Sequence, residues 1–314
     1  MTAFVVRRVA SVIPTLLLVA IFAFFLVHLT PGDPAAYMLG PLATPAQIRL
    51  VRDALNLNLP LQDQFATWFA GLLHGNLGES LFMSIPVSLA IWQRAEPTVL
   101  LALMIMVLQI LIGVPAGVLA AVRRNTWVDQ TVIGLTSLGQ AMPSFALGLV
   151  LIFLVGVQWR LLPVAGYVPL AVSPIGTLRS LLMPALTLGM ISSALLARMT
   201  RSSMLEVLYQ DFVRTARAKG ALERTVVWRH ALRNAALPVL TVVGNSFALL
   251  LGGLVITEQV FSIPGVGLLV VDAVLRRDYP VIQGVLLVFV TLYVFVNVAM
   301  DVVYALFDPR IRFG

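Results

Sequence analysis

Cysteine is absent from all 314 residues, which removes disulfides, thiolate metal sites and thiol nucleophiles at once. Lysine is almost absent as well, with Lys219 standing alone. A phosphate-binding loop of the Gly-x-x-x-x-Gly-Lys-Ser/Thr type sets its lysine on the phosphates. The Ala-Arg-Ala-Lys-Gly-Ala context of Lys219 cannot build that cradle, so this polypeptide is not itself an ATP-hydrolysing enzyme. Three scattered histidines, His28, His74 and His230, form no metal cluster, and nothing points to a metal or cofactor. Charge is scarce too. Only 11% of residues are charged, against about 25% in an ordinary soluble domain. What remains is apolar, at 60% of the chain. A water-soluble fold of this length could not hide that much apolar surface, so lipid must cover it. The expected class is an all-α, polytopic membrane protein.

About 20 apolar residues in a helix cross the hydrocarbon core. Six segments qualify: 9–29, 98–122, 132–157, 181–204, 237–257 and 281–307. The first follows Arg7 and Arg8 as a signal peptide would, but its apolar run is longer than a signal core. It also ends in Thr30-Pro31-Gly32-Asp33-Pro34, so it reads as a retained membrane helix. The fourth is the weakest, with Pro184 near its start and Arg198 and Arg201 placed to snorkel at its end. Pro115 and Pro143 fall inside the second and third spans, where kinks are expected.

The net charge of +7 is informative through its distribution rather than as a sign of nucleic-acid binding. With the N-terminus in the cytoplasm, the inner side holds fourteen basic and six acidic residues, and the outer side seven and eight. The positive-inside rule therefore places both termini in the cytoplasm. On this topology residues 31–97 and 258–280 face outward, and 123–131 and 205–236 face the cytoplasm. The long outer segment is not bare linker: residues 45–57 read as an amphipathic helix, and 66–73 as a second short apolar patch.

The loop around 205–237 carries the most charge, yet its charges alternate with alanine, valine, leucine and Trp228. A disordered basic tail would lack that interleaving, and two short helices pressed against something are expected. Its text is Asp211-Phe-Val-Arg-Thr-Ala-Arg-Ala-Lys-Gly220, then a stretch through Arg229 and His230 to Leu237-Pro238. Small residues leave one side of the first helix nearly bare, so a partner could approach closely across Ala216 and Gly220. A solvated basic loop remains the plain alternative.

This loop resembles the cytoplasmic coupling loop of ABC importer permeases. Arg214-Thr215-Ala216 stands where the family has Glu-Ala-Ala, Gly220 is its glycine, and Leu237-Pro238 closes the loop. Two of the three opening residues differ, and the glycine-to-proline distance is longer than the general pattern. Both departures are familiar in the dipeptide/oligopeptide/nickel branch. Further stretches resemble the first, or B, permease subunit of that branch: Ile13-Pro14-Thr15, His28 to Pro34, Gly71 to Ser80, Glu258 to Gly267, Arg277-Asp-Tyr-Pro280, Gln283-Gly284, Asn297, Asp301 and Asp308-Pro-Arg-Ile-Arg312.

The resemblance implies a type I ABC importer permease fold in a bacterial inner membrane. It divides the chain into an N-terminal membrane helix (1–30), an extracytoplasmic segment (31–97), a five-helix core (98–308) and a tail (309–314). The implied partners are a homologous second permease, two ATPase subunits, an extracytoplasmic solute-binding protein and membrane lipid, without nucleic acid. The implied coupling residues are Arg214, Thr215, Ala216, Arg217, Lys219, Gly220, Arg229 and His230. Two alternatives stay open on the residues alone. An ion-gradient carrier would place ionisable residues at mid-depth, and none lies there in the six spans. A non-transporting structural subunit would not need so elaborate a loop.

Overall fold

The computed structural model describes residues 2–29, 33–39, 43–54 and 57–307. The Thr30–Gly32 turn, the Asp308–Arg312 motif and the tail lie outside these residues, as do the side chains of Arg7, Arg8, His28 and Asp301. Thirteen α-helices follow one another among the described residues: α1 Thr2–Leu29, α2 Pro34–Leu39, α3 Pro45–Ala54, α4 Leu61–Leu73, α5 Val87–Val122, α6 Trp127–Ala141, α7 Ser144–Leu151, α8 Pro174–Leu208, α9 Asp211–Ala218, α10 Glu223–Thr225, α11 Leu232–Val260, α12 Val266–Arg276 and α13 Tyr279–Phe307. Two π-helical stretches, Ile152–Gln158 and Val226–Ala231, extend α7 and join α10 to α11. The described residues contain no β-strand, only an isolated bridge between Glu79 and Pro86.

Among the described residues, four helices are long and apolar enough to cross a membrane: α5, α8, the continuous helix from Glu223 to Val260, and α13. Helix α1 runs from Thr2 to Leu29, and its stretch Val12–Leu26 is apolar. The expected third span is not one kinked helix. Helices α6 and α7 are bent by 104° at their junction, because Met142, forced out of the helical region by the following proline, is extended at φ −84° and ψ 129°. Pro143 also has no N–H to continue the ladder. Counted as one bent span, the pair makes a fifth. At Pro115 the expectation of a kink meets a helix that continues, since α5 runs unbroken to Val122.

The chain divides into two compact units, Met1–Ala95 with Leu268–Val294, and Glu96–Gly267 with Phe295–Gly314. In the first, α3 begins with a reciprocal cap. The Gln47 side chain accepts from the Thr44 N–H at 2.9 Å and the Thr44 hydroxyl accepts from the Gln47 N–H at 3.4 Å, a pairing that satisfies two donors left over at a helix start. Helix α4 lays Trp68, Phe69 and Leu72 against Ala20, Ala23 and Leu287. Two of the family-like motifs meet here: the Ser80 hydroxyl donates to Asp278 at 2.5 Å, and the Leu81 N–H donates to the other carboxylate oxygen at 3.2 Å. Both Ser80 and Asp278 are 3% exposed.

In the second unit α8 is central. The least apolar of these spans is the most enclosed: 67% of its apolar stretch is buried, against 28% for α5. A helix surrounded by protein has no need of a continuous lipid-facing surface, so small and hydroxylated residues such as Gly189, Ser193, Ala194 and Ala197 serve it. Close approach to α5 depends on Gly113 and Gly117. A Cβ on Gly113 would stand 2.9 Å from the Ser193 carbonyl oxygen, and one on Gly117 2.5 Å from that of Ala197. This is the small-x-x-x-small pattern by which membrane helices pack backbone to backbone. Arg201 does not snorkel free of the protein. It grips Asp129 of α6 with two hydrogen bonds, 2.5 and 2.7 Å, and the Asp129 side chain is only 3% exposed.

Candidate coupling site

The 205–237 loop folds as a helix, a sharp reversal and a second helix. Asp211 opens α9 and Ala218 ends it. The reversal follows from glycine: Gly220 has φ +79°, a left-handed conformation that side chains with a Cβ resist. The Gly220 N–H donates to the Arg217 carbonyl at 2.9 Å and the Ala221 N–H donates to the Ala216 carbonyl at 3.2 Å. These are the two bonds of a Schellman cap, which satisfies carbonyls that the helix end would otherwise leave bare. Arg217 then reaches across the turn to Glu223 with two hydrogen bonds, 3.0 and 2.6 Å. The hydrogen bond to Glu223 raises the Arg217 guanidinium pKa above its already high value, so this clasp has a permanently charged donor.

The other end of the clasp is not a second short helix. Glu223 begins a helix that runs to Val260 through the π stretch at Val226–Ala231. The reversal at Gly220 is thus the root of a membrane-crossing helix. Below it lies a compact core. Val213, Val226, Val227 and Ala231 are buried with Val118 and Ala121 of α5 and Met204, Val207 and Leu208 of α8. The loop is pressed against its own chain.

Five of the expected coupling residues come together on α9 and its cap, with Ala216 beneath them. Arg214 pairs loosely with Asp211 at 3.4 Å, the Thr215 hydroxyl donates to the Asp211 carbonyl at 2.9 Å, and Lys219 is exposed as the C-cap. Ala216 is half-buried and packs in part against the loop's own core. At Gly220 the open face is real, since an added Cβ would meet nothing within 4 Å. Arg229 and His230 lie apart, in the π stretch of the following helix. The sequence alone assigned no contact role to three apolar side chains on the same loop. Phe212, Leu222 and Trp228 are 39, 77 and 47% exposed. The available signal was their occurrence within an otherwise charged text.

Beside the clasp is a cavity of about 320 Å³ lined by Ala121, Arg124, Leu205, Tyr209, Arg217 and Glu223, among others. The Arg124 guanidinium donates to the Tyr209 hydroxyl at 3.2 Å and lies 5.8 Å from the ring centroid.

At the far end of the same long helix, the glycine pair of the Glu258–Gly267 motif has a defined purpose. Glu258 is fully buried and accepts from the Thr98 hydroxyl at 2.6 Å, while the Val266 N–H donates to that hydroxyl at 2.8 Å. A Cβ on Gly265 would collide with the Glu258 carboxylate, and one on Gly267 would stand 2.9 Å from it. The glycines make room for a buried acid.

The chain matches two family models: "Binding-protein-dependent transport system inner membrane component" over residues 113–313, and the corresponding N-terminal component over residues 1–90. It is 45% identical over 313 residues to a probable peptide ABC transporter permease of Sinorhizobium fredii, all of each chain being covered. It is 46% identical, again over the full length of both, to a putative peptide transport system permease of Brucella abortus. To the glutathione transport system permease GsiC of Escherichia coli it is 41% identical over 310 residues, 99% of each. Among solved structures, an inward-facing MetNI methionine ABC transporter chain superposes with a TM-score of 0.59 at 19% identity, over 70% of this chain and 96% of that one. The resemblance drawn from the motifs is therefore correct: the chain belongs to the binding-protein-dependent transport system inner membrane component family and is a permease subunit of an ABC importer.

Proposed function

We propose that this permease imports peptides or related amide-bearing small solutes, and that its 205–237 loop is the point at which ATPase subunits act on it. The observation that carries this reading is the continuity from Gly220 to Val260: a glycine-capped reversal with an exposed face, clasped by Arg217 and Glu223, opens directly into a membrane-length helix. Force applied at the reversal reaches the middle of the membrane without crossing a flexible joint. The relatives named for peptide and glutathione transport support the solute class. Six apolar segments of membrane length support six spans, and the charge distribution supports placing both termini in the cytoplasm. Counting α1 and the bent α6–α7 pair with the four long helices is consistent with that number.

In this reading the chain forms half of the translocation path in a bacterial inner membrane. A homologous second permease supplies the other half, two ATPase subunits hydrolyse the nucleotide, and an extracytoplasmic binding protein delivers solute. The contact face on the loop consists of Gly220 with Lys219, Arg214, Thr215 and the exposed Phe212 and Leu222. Alternating access is then a two-state equilibrium biased by nucleotide at one end and by loaded binding protein at the other. Reconstitution of the five-subunit complex in proteoliposomes tests it. ATP hydrolysis stimulated by the binding protein, with uptake of labelled di- or oligopeptide, is the expected result. Uptake that follows an imposed ion gradient and ignores ATP would overturn it.

A further inference from the structure

The long helices of the second unit show two kinds of exposed face. On α5 the exposed positions are large and apolar, Leu103, Val107 and Leu111 being 54, 53 and 64% exposed, as contact with lipid requires. On α11 the exposed positions include Asn234, Thr241, Asn245, Ala248, Gly252 and Gln259. They recur at intervals of three, four or seven residues and so share one side of the helix, bordered by the exposed Leu249 and Ile256. Val239, Val243, Phe247, Leu250 and Leu254 face the protein interior. One helix of nearly 30 residues therefore buries most of its bulky apolar side chains and, beside Leu249 and Ile256, exposes a stripe of small and polar ones, unlike the large apolar positions that α5 exposes.

Asn245 is the decisive position, midway along α11. The Asn234 amide donates to the His230 carbonyl and the Thr241 hydroxyl to the Leu237 carbonyl, so these two are satisfied locally. The Asn245 amide has no hydrogen-bond partner among the described residues, and it is exposed. A primary amide turned towards hydrocarbon at mid-depth would be costly, and polar groups at that depth face protein or water. Gly252 widens the same face, because an added Cβ there would meet nothing within 4 Å.

We propose that this face of α11 lines the solute path, and that Asn245 offers its amide to a backbone amide of the passing peptide. The inference rests on the importer reading above. A primary amide both donates and accepts, so it complements a peptide bond whatever side chains flank it, and it carries no charge to trap a charged one. The small residues on either side leave width for those side chains. Because α11 is rooted at the Gly220 reversal, movement of the loop moves the same surface that touches the solute.

Absence of cysteine in this chain permits a direct test in the assembled complex. Single cysteines at Thr241, Asn245, Ala248 and Gly252, and at the buried Val243, Phe247 and Leu250, are treated with a water-soluble maleimide and separately with a lipid-phase one. Modification of this chain is then read by mass. The four face positions should react with the water-soluble reagent and be protected by added peptide, and the buried three should not react. Reaction with the lipid-phase reagent alone would show a lipid face and overturn the proposal. Silence towards both reagents would show a helix of the second permease seated there, and would also overturn it. In uptake assays Asn245→Leu should raise the half-saturating peptide concentration about tenfold, as expected for one lost hydrogen bond in a confined site, and Asn245→Gln should restore most of it. An unchanged half-saturating concentration would refute the role of Asn245. Failure of the wild-type complex to take up peptide at all would instead refute the importer reading.

Discussion

Replacement of Gly220 separates backbone strain from partner contact, because the structure assigns each a different size. The residue sits at φ +79°, so any side chain bearing a Cβ is strained there by about 1–2 kcal/mol, and asparagine by less. Within the chain there is no further cost, since nothing lies within 4 Å of the Cβ position. Gly220→Ala and Gly220→Arg should therefore destabilise the isolated permease alike, by no more than the strain. If an ATPase subunit covers the reversal, the two variants diverge. Overpacking of a fitted surface costs about 1–3 kcal/mol, and each 1.4 kcal/mol is tenfold in affinity.

The assay is titration of purified ATPase subunits onto the detergent-solubilised permease pair, with thermal stability of the pair measured in parallel. Gly220→Asn should bind near wild type, Gly220→Ala roughly tenfold more weakly, and Gly220→Arg on the order of a hundredfold more weakly. Transport should fall in the same order. The refuting result is equal affinity for the alanine and arginine variants with equal melting temperatures. It would mean that no partner approaches Gly220, and that the loop is a solvated basic segment with a well-made turn.

Packing and charge distribution carry three other expectations. Asp129→Ala should destabilise the purified protein by about 3 kcal/mol or more, because it strands the Arg201 guanidinium. Adding Arg201→Leu should recover part of that loss, and a strictly additive double mutant in thermal or chemical unfolding would contradict a direct ion pair. Gly117→Val should abolish stable expression, since its Cβ would lie 2.5 Å from the Ala197 carbonyl oxygen, whereas Gly134→Ala, with open space around it, should be neutral; equal yields would disprove the close α5–α8 approach. For topology, Gln62→Cys should react with an impermeant maleimide in spheroplasts and Gln210→Cys only after permeabilisation, the reverse pattern inverting the membrane orientation. Ser80→Cys is unsuitable for that purpose because Ser80 is 3% exposed.

Class and family were legible in the sequence because both are written in long signals. Apolar runs of membrane length survive any local ambiguity, and the motifs resembling a permease occur in order along the chain. The coupling turn was legible in part. Glycine after an alanine-rich helix announces a left-handed cap, and the structure has it. The partial covering of Ala216 was not legible, since α9 spans only eight residues and packs on a core that includes Val118, Met204 and Val226, which are distant from Ala216 in sequence. Pro143 illustrates a different limit. A proline within an apolar run predicts disturbance, but whether the helix bends gently or breaks depends on how the next segment packs. Pro115 sits in a helix that continues, while α6 and α7 part by 104°.

The buried acid at Glu258 marks where sequence pattern and chemistry diverge most. Counted by composition, it is one more charge in an outer loop. In the structure it is fully enclosed, with Thr98 donating to it and two glycines shaped around it. An enclosed carboxylate is costly without hydrogen-bonding partners, so the Thr98 hydroxyl and the Val266 N–H behind it form one cooperative unit with it. That unit closes the end of the helix opposite Gly220. The helix from Glu223 to Val260 is therefore held by a clasp of Arg217 and Glu223 at one end and by the Glu258–Thr98 lock at the other, with its small polar face between them. A rod fixed at both ends moves as a body, which is what the proposed coupling of an ATPase to a membrane path needs.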